Sequence, residues 1–302
     1  MKKTMFVVSI VAFVSVSCSV QKIAVRQTAQ LMRQAAPAFE EESDLILAES
    51  AMAANLKMLD GLLKVDPTNP DLLLLLSQGF GGYAFSFLED KMEEFSAHPS
   101  TSESFKKRAA DFYTRGFHYA TRYLEAQNES FVQYKTKGLL SDFEESLKAF
   151  DKEDVPYLFW AGYNWGNLIN LSKDDPAVVA DLGRAESLMK RVLELEETYY
   201  YGSAHLFLGV FYGSRPAMLG GNLGKSKEHF DKALKISNKK LLLVPYMYAR
   251  FYCVQSQDEK LFGELLRYVI NAPAQILHEQ SLANQVAKIR AYRALRGKNE
   301  FF

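Results

Sequence analysis

The sequence predicts an all-α fold. Apolar residues recur every three or four positions through most of the 302-residue chain, which is the periodicity of amphipathic helices. Prolines and capping residues interrupt this pattern at intervals that suit helical hairpins. In addition, no window shows convincing strand alternation bounded by hairpin turns. These three observations together favour a chain built from short, connected helices.

The first 17 residues are predicted to be a lipoprotein signal peptide. Lys2 and Lys3 precede an apolar stretch, Met5–Val16, that is well short of the roughly 20 residues needed to cross a bilayer. The segment Val16-Ser17-Cys18 then supplies the small-residue junction of a cleaved signal. Lipoprotein processing uses a cysteine at this position, so the mature chain would begin at a lipid-modified Cys18. The alternative is an ordinary secretory signal with an incidental cysteine.

Residues 18–42 are predicted to be the lipidated N-terminus and a flexible tether, and residues 43–302 a single helical domain. Each buried methylene of a lipid anchor contributes about 0.8 kcal/mol, so an anchor with more than one acyl chain holds stably. The later apolar run Leu72–Leu76 is interrupted by Ser77 and Gln78, so no further membrane span is predicted. The body is expected to be tethered to a membrane and not embedded in one.

Capping residues and prolines predict where each helix begins and ends. Ser43 opens the first helix, which stops before Asp66-Pro67. Asn69-Pro70 starts the second, because proline suits a first helical turn. Ser102 caps the third, which runs to about Leu124. The later helices are predicted at Phe131–Lys137, Asp142–Phe150, Pro156–Leu171, Asp175–Glu194, Ser203–Tyr212, Leu223–Ile236, Leu241–Tyr252, Asp258–Val269 and Glu279–Leu295.

Several helices share a spacing of small and large residues that is typical of tetratricopeptide repeats. Ala109, Tyr113, Gly116 and Phe117 show this spacing, and it recurs from Ala185 and from Ser226. The intervals between the copies, about 76 and about 41 residues, depart from the ideal 34. The prediction is therefore a divergent tetratricopeptide-like solenoid of helical hairpins, in which neighbours bury each other's apolar faces. An irregular helical bundle is the alternative.

Charge and cysteine content argue against several functional classes. Two of the 36 basic residues lie in the signal, which leaves 34 basic against 36 acidic residues and a net charge near −2. Such a balance gives no electrostatic reason to expect a nucleic acid as partner. Once Cys18 is lipidated, only Cys253 remains, so no intrachain disulfide can form, and we expect Cys253 to be buried. The acidic runs Glu40–Glu42 and Glu93-Glu94 are predicted to be solvated surface.

Motifs for catalysis or metal binding are not found in the sequence. His98, His118, His205, His229 and His278 are not spaced with other ligands at metal-binding intervals. No local arrangement of serine, histidine and acid suggests a catalytic triad. We therefore predict no cofactor, no metal and no catalytic residue.

Aromatic residues are unusually common, with 21 Phe, 16 Tyr and 2 Trp. On the helix from Pro156, the residues Trp160, Tyr163, Asn164 and Asn167 share one face. Burial of two amides without hydrogen-bond partners costs free energy, so this mixture of aromatic rings and amides suits the wall of a cavity or a partner surface. The alternative is that these amides only hold contacts between repeats. Further candidates for ligand or partner binding, each with a structural alternative, are Tyr201, Tyr212, Arg215, Tyr246 and Arg250.

A loop after the helix at Ser203–Tyr212 interrupts the helical spacing. It contains Pro216 and the pair Gly220-Gly221, which permits backbone angles that are closed to other residues. With this loop, with Val155-Pro156, Phe159-Trp160, Trp165-Gly166 and Leu208-Gly209, and with the lipoprotein cysteine, the chain resembles the TatT family. That family consists of tetratricopeptide-like lipoproteins associated with TRAP transporters, and the resemblance covers most of the chain after Ser43.

The resemblance implies a periplasmic-facing lipoprotein, anchored to the inner or outer membrane, that binds the solute-binding (P) subunit of a TRAP transporter. It also implies self-association as a trimer, and a non-catalytic role in passing a hydrophobic organic acid between the two proteins. Two other hypotheses stay open. One is an envelope assembly scaffold that binds protein or peptide partners through its repeats, and the other is an enzyme with dispersed catalytic residues.

Overall fold

The computed structural model describes residues 20–135, 137–173 and 175–302. The predicted signal peptide and Cys18 lie outside the described residues. Within these ranges all regular structure is helical, which confirms the all-α prediction. The finer assignment to tetratricopeptide-like repeats stays a prediction.

The helices follow one another with short connections. The α-helices are α1 (20–35), α2 (Pro37–Glu40), α3 (Leu45–Leu63), α4 (Pro70–Tyr83), α5 (Glu89–Glu94), α6 (Pro99–Gln127), α7 (Glu129–Tyr134), α8 (Leu140–Leu147), α9 (Val155–Leu171), α10 (Pro176–Val179), α11 (Leu182–Glu196), α12 (Tyr199–Gly213), α13 (Leu223–Ile236), α14 (Leu243–Met247), α15 (Val254–Ser256), α16 (Glu259–Asn271) and α17 (Ser281–Arg296). Wide π-helical turns at Ala84–Leu88 and Tyr248–Cys253 join α4 to α5 and α14 to α15. Tighter 3₁₀ turns lie at Lys152–Asp154, Ala217–Leu219, Ala274–Gln280 and Lys298–Glu300.

The N-terminal segment departs most from the predicted domain boundaries. Residues 20–35 form α1, and its Val25 and Ala29 are buried against the body. Arg26 Nε lies 3.0 Å from Asp66 Oδ2, which adds a polar contact to this packing. The prediction of a flexible tether is therefore wrong for residues 20–40. The polar residues that suggested a tether occupy the solvent face of an amphipathic helix.

Other predicted boundaries hold to within a few residues, because capping depends on neighbouring residues alone. The Asn69 side chain accepts a hydrogen bond of 3.1 Å from Leu72 N and so caps α4, as expected. Two predictions were wrong. Helix α6 begins at Pro99, since the Ser102 hydroxyl donates to the Met92 carbonyl and does not cap the helix. The single helix predicted from Asp175 to Glu194 divides into α10 and α11.

Consecutive long helices pack side by side. Helix α9 lies between α6 and α11, and α12 lies between α11 and α13. Small residues permit this close packing: at Gly209 on α12, a Cβ atom would lie 3.0 Å from the ring of Phe230 on α13. The Ser226 hydroxyl also donates to the Gly209 carbonyl across 2.8 Å. Helix-on-neighbour packing of this kind fits the predicted stack of hairpins.

The two ends of the stack meet. Helix α17 packs against α2 and α3, so the C-terminal part of the chain closes on the N-terminal part. Arg290 Nη2 donates a hydrogen bond of 2.5 Å to the Phe85 carbonyl, and Gln280 Nε2 donates one of 2.5 Å to Glu40 Oε2. The helices therefore close around a central cavity.

One continuous helical stretch, Pro70–Glu94, is long and apolar enough to cross a membrane by length and composition alone. About 72% of its apolar window is buried inside the fold, which is typical of the core helix of a folded domain. The sequence-based statement that no later segment is apolar enough to span is therefore wrong on composition. Packing accounts for the apolar character of this helix.

Candidate functional site

The candidate site is a cavity of about 370 Å³ at the centre of the helical ring. Helices α3, α4, α9, α12, α14 and α17 contribute to its wall, together with α2 and both π-helical turns. Its aromatic lining consists of Phe39, Phe85, Phe159, Trp160, Tyr163, Tyr200, Phe207, Phe211, Tyr246 and Phe251. A mainly apolar cavity of this size, with a few polar groups, is typical of a small-molecule site.

Helices α9 and α12 form one wall and run in the same direction. Near the start of both, the rings of Trp160 and Tyr200 lie 5.6 Å apart. Near the end of both, Asn170 Oδ1 lies 3.4 Å from Nη2 of Arg215, which follows α12. This wall is aromatic at one end and carries amide and cationic groups at the other.

Six of the nine predicted binding residues line the cavity. They are Trp160, Tyr163, Asn167, Arg215, Tyr246 and Arg250. The rings of Trp160 and Tyr163 pack edge to face with their centres 5.1 Å apart, as expected for residues on one helix face. The structure thus brings these six residues together, and their role in binding stays a prediction.

Asn164 does not line the cavity but joins three helices. Its Nδ2 donates to the carbonyl and the hydroxyl of Ser77, each at 3.2 Å, and to the Trp160 carbonyl at 2.8 Å. Its Oδ1 lies so close to Gly81 and Gly116 that a Cβ atom at either position would approach it to 2.4 or 2.5 Å. These contacts fit the structural alternative for this amide.

Tyr201 and Tyr212 also lie off the cavity. The Tyr212 hydroxyl donates to Glu186 Oε1 across 2.5 Å, between α12 and α11. At the start of α12, Tyr200, Tyr201 and Gly202 have φ values of 46°, 60° and 77°, so three successive residues adopt the left-handed conformation. Each non-glycine residue in that conformation costs about 1–2 kcal/mol. The turn places Tyr200 on the cavity in place of Tyr201.

Glu40 is a cavity residue that the sequence analysis missed. Its Oε1 accepts hydrogen bonds from the Tyr200 hydroxyl at 2.9 Å and from Gln78 Nε2 at 2.5 Å, while Oε2 accepts from Gln280. Burial raises the pKa of Glu40 above its ordinary value, although the three donors oppose this shift. Each of the acidic runs predicted to be solvated surface places one residue, Glu40 or Glu93, on the cavity.

A buried ion cluster lies on the α5 and α17 side. Arg290 Nε lies 3.4 Å from Asp90 Oδ1, and the guanidinium lies 4.4 Å above the centre of the Phe85 ring. Glu89 accepts a hydrogen bond from the Tyr113 hydroxyl. Burial raises the pKa of Glu89 to about 7, with the nearby Arg290 opposing the shift. Glu89 can therefore change its charge near neutral pH.

The glycine loop fixes the backbone of Arg215. Gly220 has a φ of 84°, which is the left-handed conformation expected for one of the two glycines. Gly221 is needed for a different reason, because a Cβ atom there would lie only 1.9 Å from the Arg215 carbonyl oxygen. Gly221 N also donates to the Pro216 carbonyl across 3.1 Å. The loop thus folds back on the residue that delivers a cation to the cavity.

Two histidines meet away from the cavity, between α12 and α13. The Nδ1 atoms of His205 and His229 lie 2.8 Å apart, and His205 Nε2 lies 2.9 Å from Glu197 Oε1. Burial, with a smaller effect of His205, lowers the pKa of His229 to about 4. Spacing along the chain did not predict this pair, because its members are 24 residues apart on different helices. Within the described ranges, no group of three or more His, Cys, Asp or Glu residues is arranged to hold a metal ion.

The fold and the site define an all-α protein closed around an apolar cavity of small-molecule size. Residues 41–302 match the family of TRAP transporter T-components, and because this match covers most of the chain, the chain belongs to that family. Membership associates the protein with a TRAP transport system and with the cell envelope, and the family is a transport-associated one. The predicted resemblance to TatT proteins is thereby confirmed. No curated protein matches the chain.

Proposed function

We propose that this protein binds the solute-binding (P) subunit of a TRAP transporter in the periplasm and helps to pass a hydrophobic organic acid between the two, without catalysing a reaction. The observation that carries the proposal is the aromatic cavity of about 370 Å³ in a member of a TRAP transporter component family. The closed packing of α17 on the N-terminal helices favours an enclosed small molecule. An envelope scaffold would instead require an open concave groove.

The cavity suits a ligand that must be released again. An organic acid that buries about 250 Å² of apolar surface gains about 6 kcal/mol, at about 25 cal/mol per Å². Association itself costs upwards of about 4 kcal/mol in lost freedom of motion. The remaining free energy corresponds to modest affinity, which is appropriate for a protein that transfers its ligand to a partner.

An exposed face of α3 supports self-association as a trimer. Five small or apolar residues on this face follow one another at alternating spacings of four and three, which is the repeat of helices that pack on identical helices. They are Leu47, Ala51, Ala54, Met58 and Gly61. All of them are exposed except Ala51, which is half-buried. In the proposed trimer, this α3 face packs against other copies of the chain.

Two neighbouring alanines test the α3 face. Ala54 lies on it, whereas Ala53 is equally exposed but points to one side. We expect Ala54→Glu to give a monomer in light scattering at micromolar concentration, and Ala53→Glu to leave the oligomer intact. A trimer that persists in Ala54→Glu would exclude this face as the interface.

Attachment to a membrane through a lipid on Cys18 is the third part of the proposal. It rests on the apolar signal segment and the small-residue junction before Cys18. The substitution Cys18→Ser should move the protein from the membrane fraction to the soluble fraction with an unchanged melting temperature. Continued membrane association of this variant would contradict lipid anchoring.

A pull-down tests the central claim. The chain from Ser19 onward, immobilised under native conditions, should retain the solute-binding subunit of its own TRAP transporter. A solute-binding protein from an unrelated ATP-driven transporter is the matched control and should wash through. Failure to retain the TRAP subunit, with a correctly folded bait, would remove the proposed function.

A further inference from the structure

The cations on the cavity wall differ in whether they have a carboxylate partner. Arg290 is paired with Asp90, as described above. Arg215 is only 8% exposed, yet within the described ranges it forms no ion pair. A buried charge without a counter-ion costs several kcal/mol, so this arrangement calls for an explanation.

The contacts of Arg215 are all with neutral groups. Nη1 donates a hydrogen bond of 2.5 Å to the Phe211 carbonyl, and Nη2 lies 3.4 Å from Asn170 Oδ1. The guanidinium carbon lies 3.9 Å from the centre of the Phe211 ring. Burial lowers the pKa of Arg215 to about 10, so the group is still charged at neutral pH. The side chain is held in place, and the charge of Glu186 partly offsets the effect of burial on its pKa, but within the described ranges no carboxylate forms an ion pair with it.

A second cation lies on the same side of the cavity. Lys173 follows α9 and also lines the cavity, and its pKa is lowered by burial and by the nearby charge of Arg215. Two like charges held near each other at the ends of α9 and α12 repel, so their placement also costs free energy. On the α12 side, the close approach of Gly221 to the Arg215 carbonyl holds the backbone of Arg215 in place.

The wall between the two helix ends is aromatic at one end and cationic at the other. Along α9 the cavity-lining residues run from aromatic through amide to cationic, over about 20 Å at about 1.5 Å per residue. In order they are Trp160, Tyr163, Asn167 and Asn170, with Lys173 just after the end of α9, and the apolar Phe159 and Leu171 line the cavity beside them. Along α12 the series runs from Tyr200 through Phe207 and Phe211 to Arg215. Both series reach their cationic end at the same place.

We propose that Arg215, together with Lys173 and Asn170, binds the carboxylate of an amphipathic monocarboxylate whose apolar body lies along Phe211, Phe207 and Trp160. A guanidinium offers two parallel donors that match the two carboxylate oxygens, and the bound anion neutralises the buried charge. This inference rests on the proposed function for the cavity as the ligand site, and it adds the ligand's orientation and the residues that select it.

Decanoate and decanol test this assignment, because they share an apolar chain and differ in the head group. Calorimetric titration into the chain from Ser19 should show decanoate binding at least ten-fold more tightly than decanol. Arg215→Met should weaken decanoate at least ten-fold and leave decanol unchanged. Arg267→Met is the control for the loss of one arginine, since Arg267 is exposed and does not line the cavity, and it should change decanoate affinity less than two-fold.

Several outcomes would overturn the assignment. Equal affinity for decanoate and decanol, absence of binding by both, or an Arg215→Met protein that retains decanoate would each do so. Tighter binding of decyl phosphate than of decanoate would assign the cations to phosphate groups and overturn the carboxylate assignment. Lys173→Met gives a second variant, and its expected loss is only two- to five-fold because Lys173 lines the cavity but is more open to solvent than Arg215.

Thermal unfolding separates ligand binding from a structural role. Without ligand, Arg215→Met should melt no lower than the unsubstituted protein, because an unpaired buried charge is removed. Decanoate should raise the melting temperature of the unsubstituted protein only. A lower melting temperature with unchanged decanoate affinity would show a structural role and sink the inference. The pull-down with the solute-binding subunit tests the proposed function without using Arg215 or decanoate. The carboxylate assignment and the proposed function can therefore be refuted separately.

Discussion

Gln280 and Glu40 are joined by a hydrogen bond although they lie 240 positions apart, with 2.5 Å between Nε2 and Oε2. The other carboxylate oxygen accepts from Gln78 on α4 and from Tyr200 on α12. One side chain of the short helix α2 therefore connects three distant parts of the ring. This carboxylate is therefore one of the contacts that join the C-terminal part of the chain to the N-terminal part.

Glu40→Ala should lower the free energy of unfolding by about 3 kcal/mol, because buried donors that lose their acceptor cost about 1–3 kcal/mol each. Urea unfolding gives the value, and hydrogen exchange should become faster in residues 20–40. Glu41→Ala is the control. Glu41 is half-buried, and its contact with His278 Nε2 is long, at 3.9 Å, and therefore weak, so the loss of stability should be below about 0.5 kcal/mol. Unchanged exchange in Glu40→Ala would show that Glu40 does not hold the segment.

Gly221→Ala should destabilise the protein by about 2–3 kcal/mol, because the new Cβ collides with the Arg215 carbonyl and the backbone must shift. Gly220→Ala should cost only about 1 kcal/mol, since its φ is left-handed but no atom lies within 4 Å of the new Cβ. Urea denaturation of the two variants compares these costs. If Gly220→Ala proved the more harmful, the close approach at Gly221 would not be the main constraint.

The His205–His229 pair should make the protein acid-sensitive. The folded pKa of His229, about 4, is below the unfolded value of about 6.5, so folding favours the neutral ring. Stability is then fully present above pH 6.5 and is lost as the pH falls towards 4. His229→Phe should reduce this loss by about 1–2 kcal/mol, measured by urea unfolding between pH 4.5 and 7.5. His98→Phe, at an exposed histidine, should leave the pH dependence unchanged.

Glu89 should make the protein less stable as the pH rises, which is opposite to the effect of His229. Its folded pKa of about 7 exceeds the ordinary value of 4.5, so folding favours the protonated acid. The stability from this group is present below pH 4.5 and is lost as the pH rises through 7. Glu89→Gln should remove this loss and be more stable, relative to the unsubstituted protein, at pH 8 than at pH 5 by about 2 kcal/mol. The exposed Glu94→Gln is the control, and a pH dependence shared by both variants would refute the assignment.

The sequence predicted features that depend on neighbours along the chain. Asn69 caps α4, and the three-and-four spacing correctly places Trp160, Tyr163 and Asn167 on one cavity wall. Asn164 belongs to the same sequence pattern but faces α4 and α6, because the direction of a side chain also depends on which helices pack beside it. Periodicity alone contains no such information.

Contacts between distant residues could not be predicted from the sequence either, because periodicity does not show which helices pack together. Nothing near Glu40 distinguishes it from the solvated acids beside it, and its role depends on where α17 comes to lie. The left-handed turn at the start of α12 shifts the cavity position from Tyr201 to Tyr200. Only Gly202 hinted at that turn, since a tyrosine rarely adopts such backbone angles.

Helix α1 limits how far the protein could reach from a membrane. Only Ser19 would separate a lipid on Cys18 from the first described residue of α1, so the chain between the anchor and the folded domain would be short. The 16 residues of α1 span about 24 Å at about 1.5 Å per residue. In the proposed anchored form, the domain would lie next to the leaflet, and a soluble partner would meet it near the membrane surface.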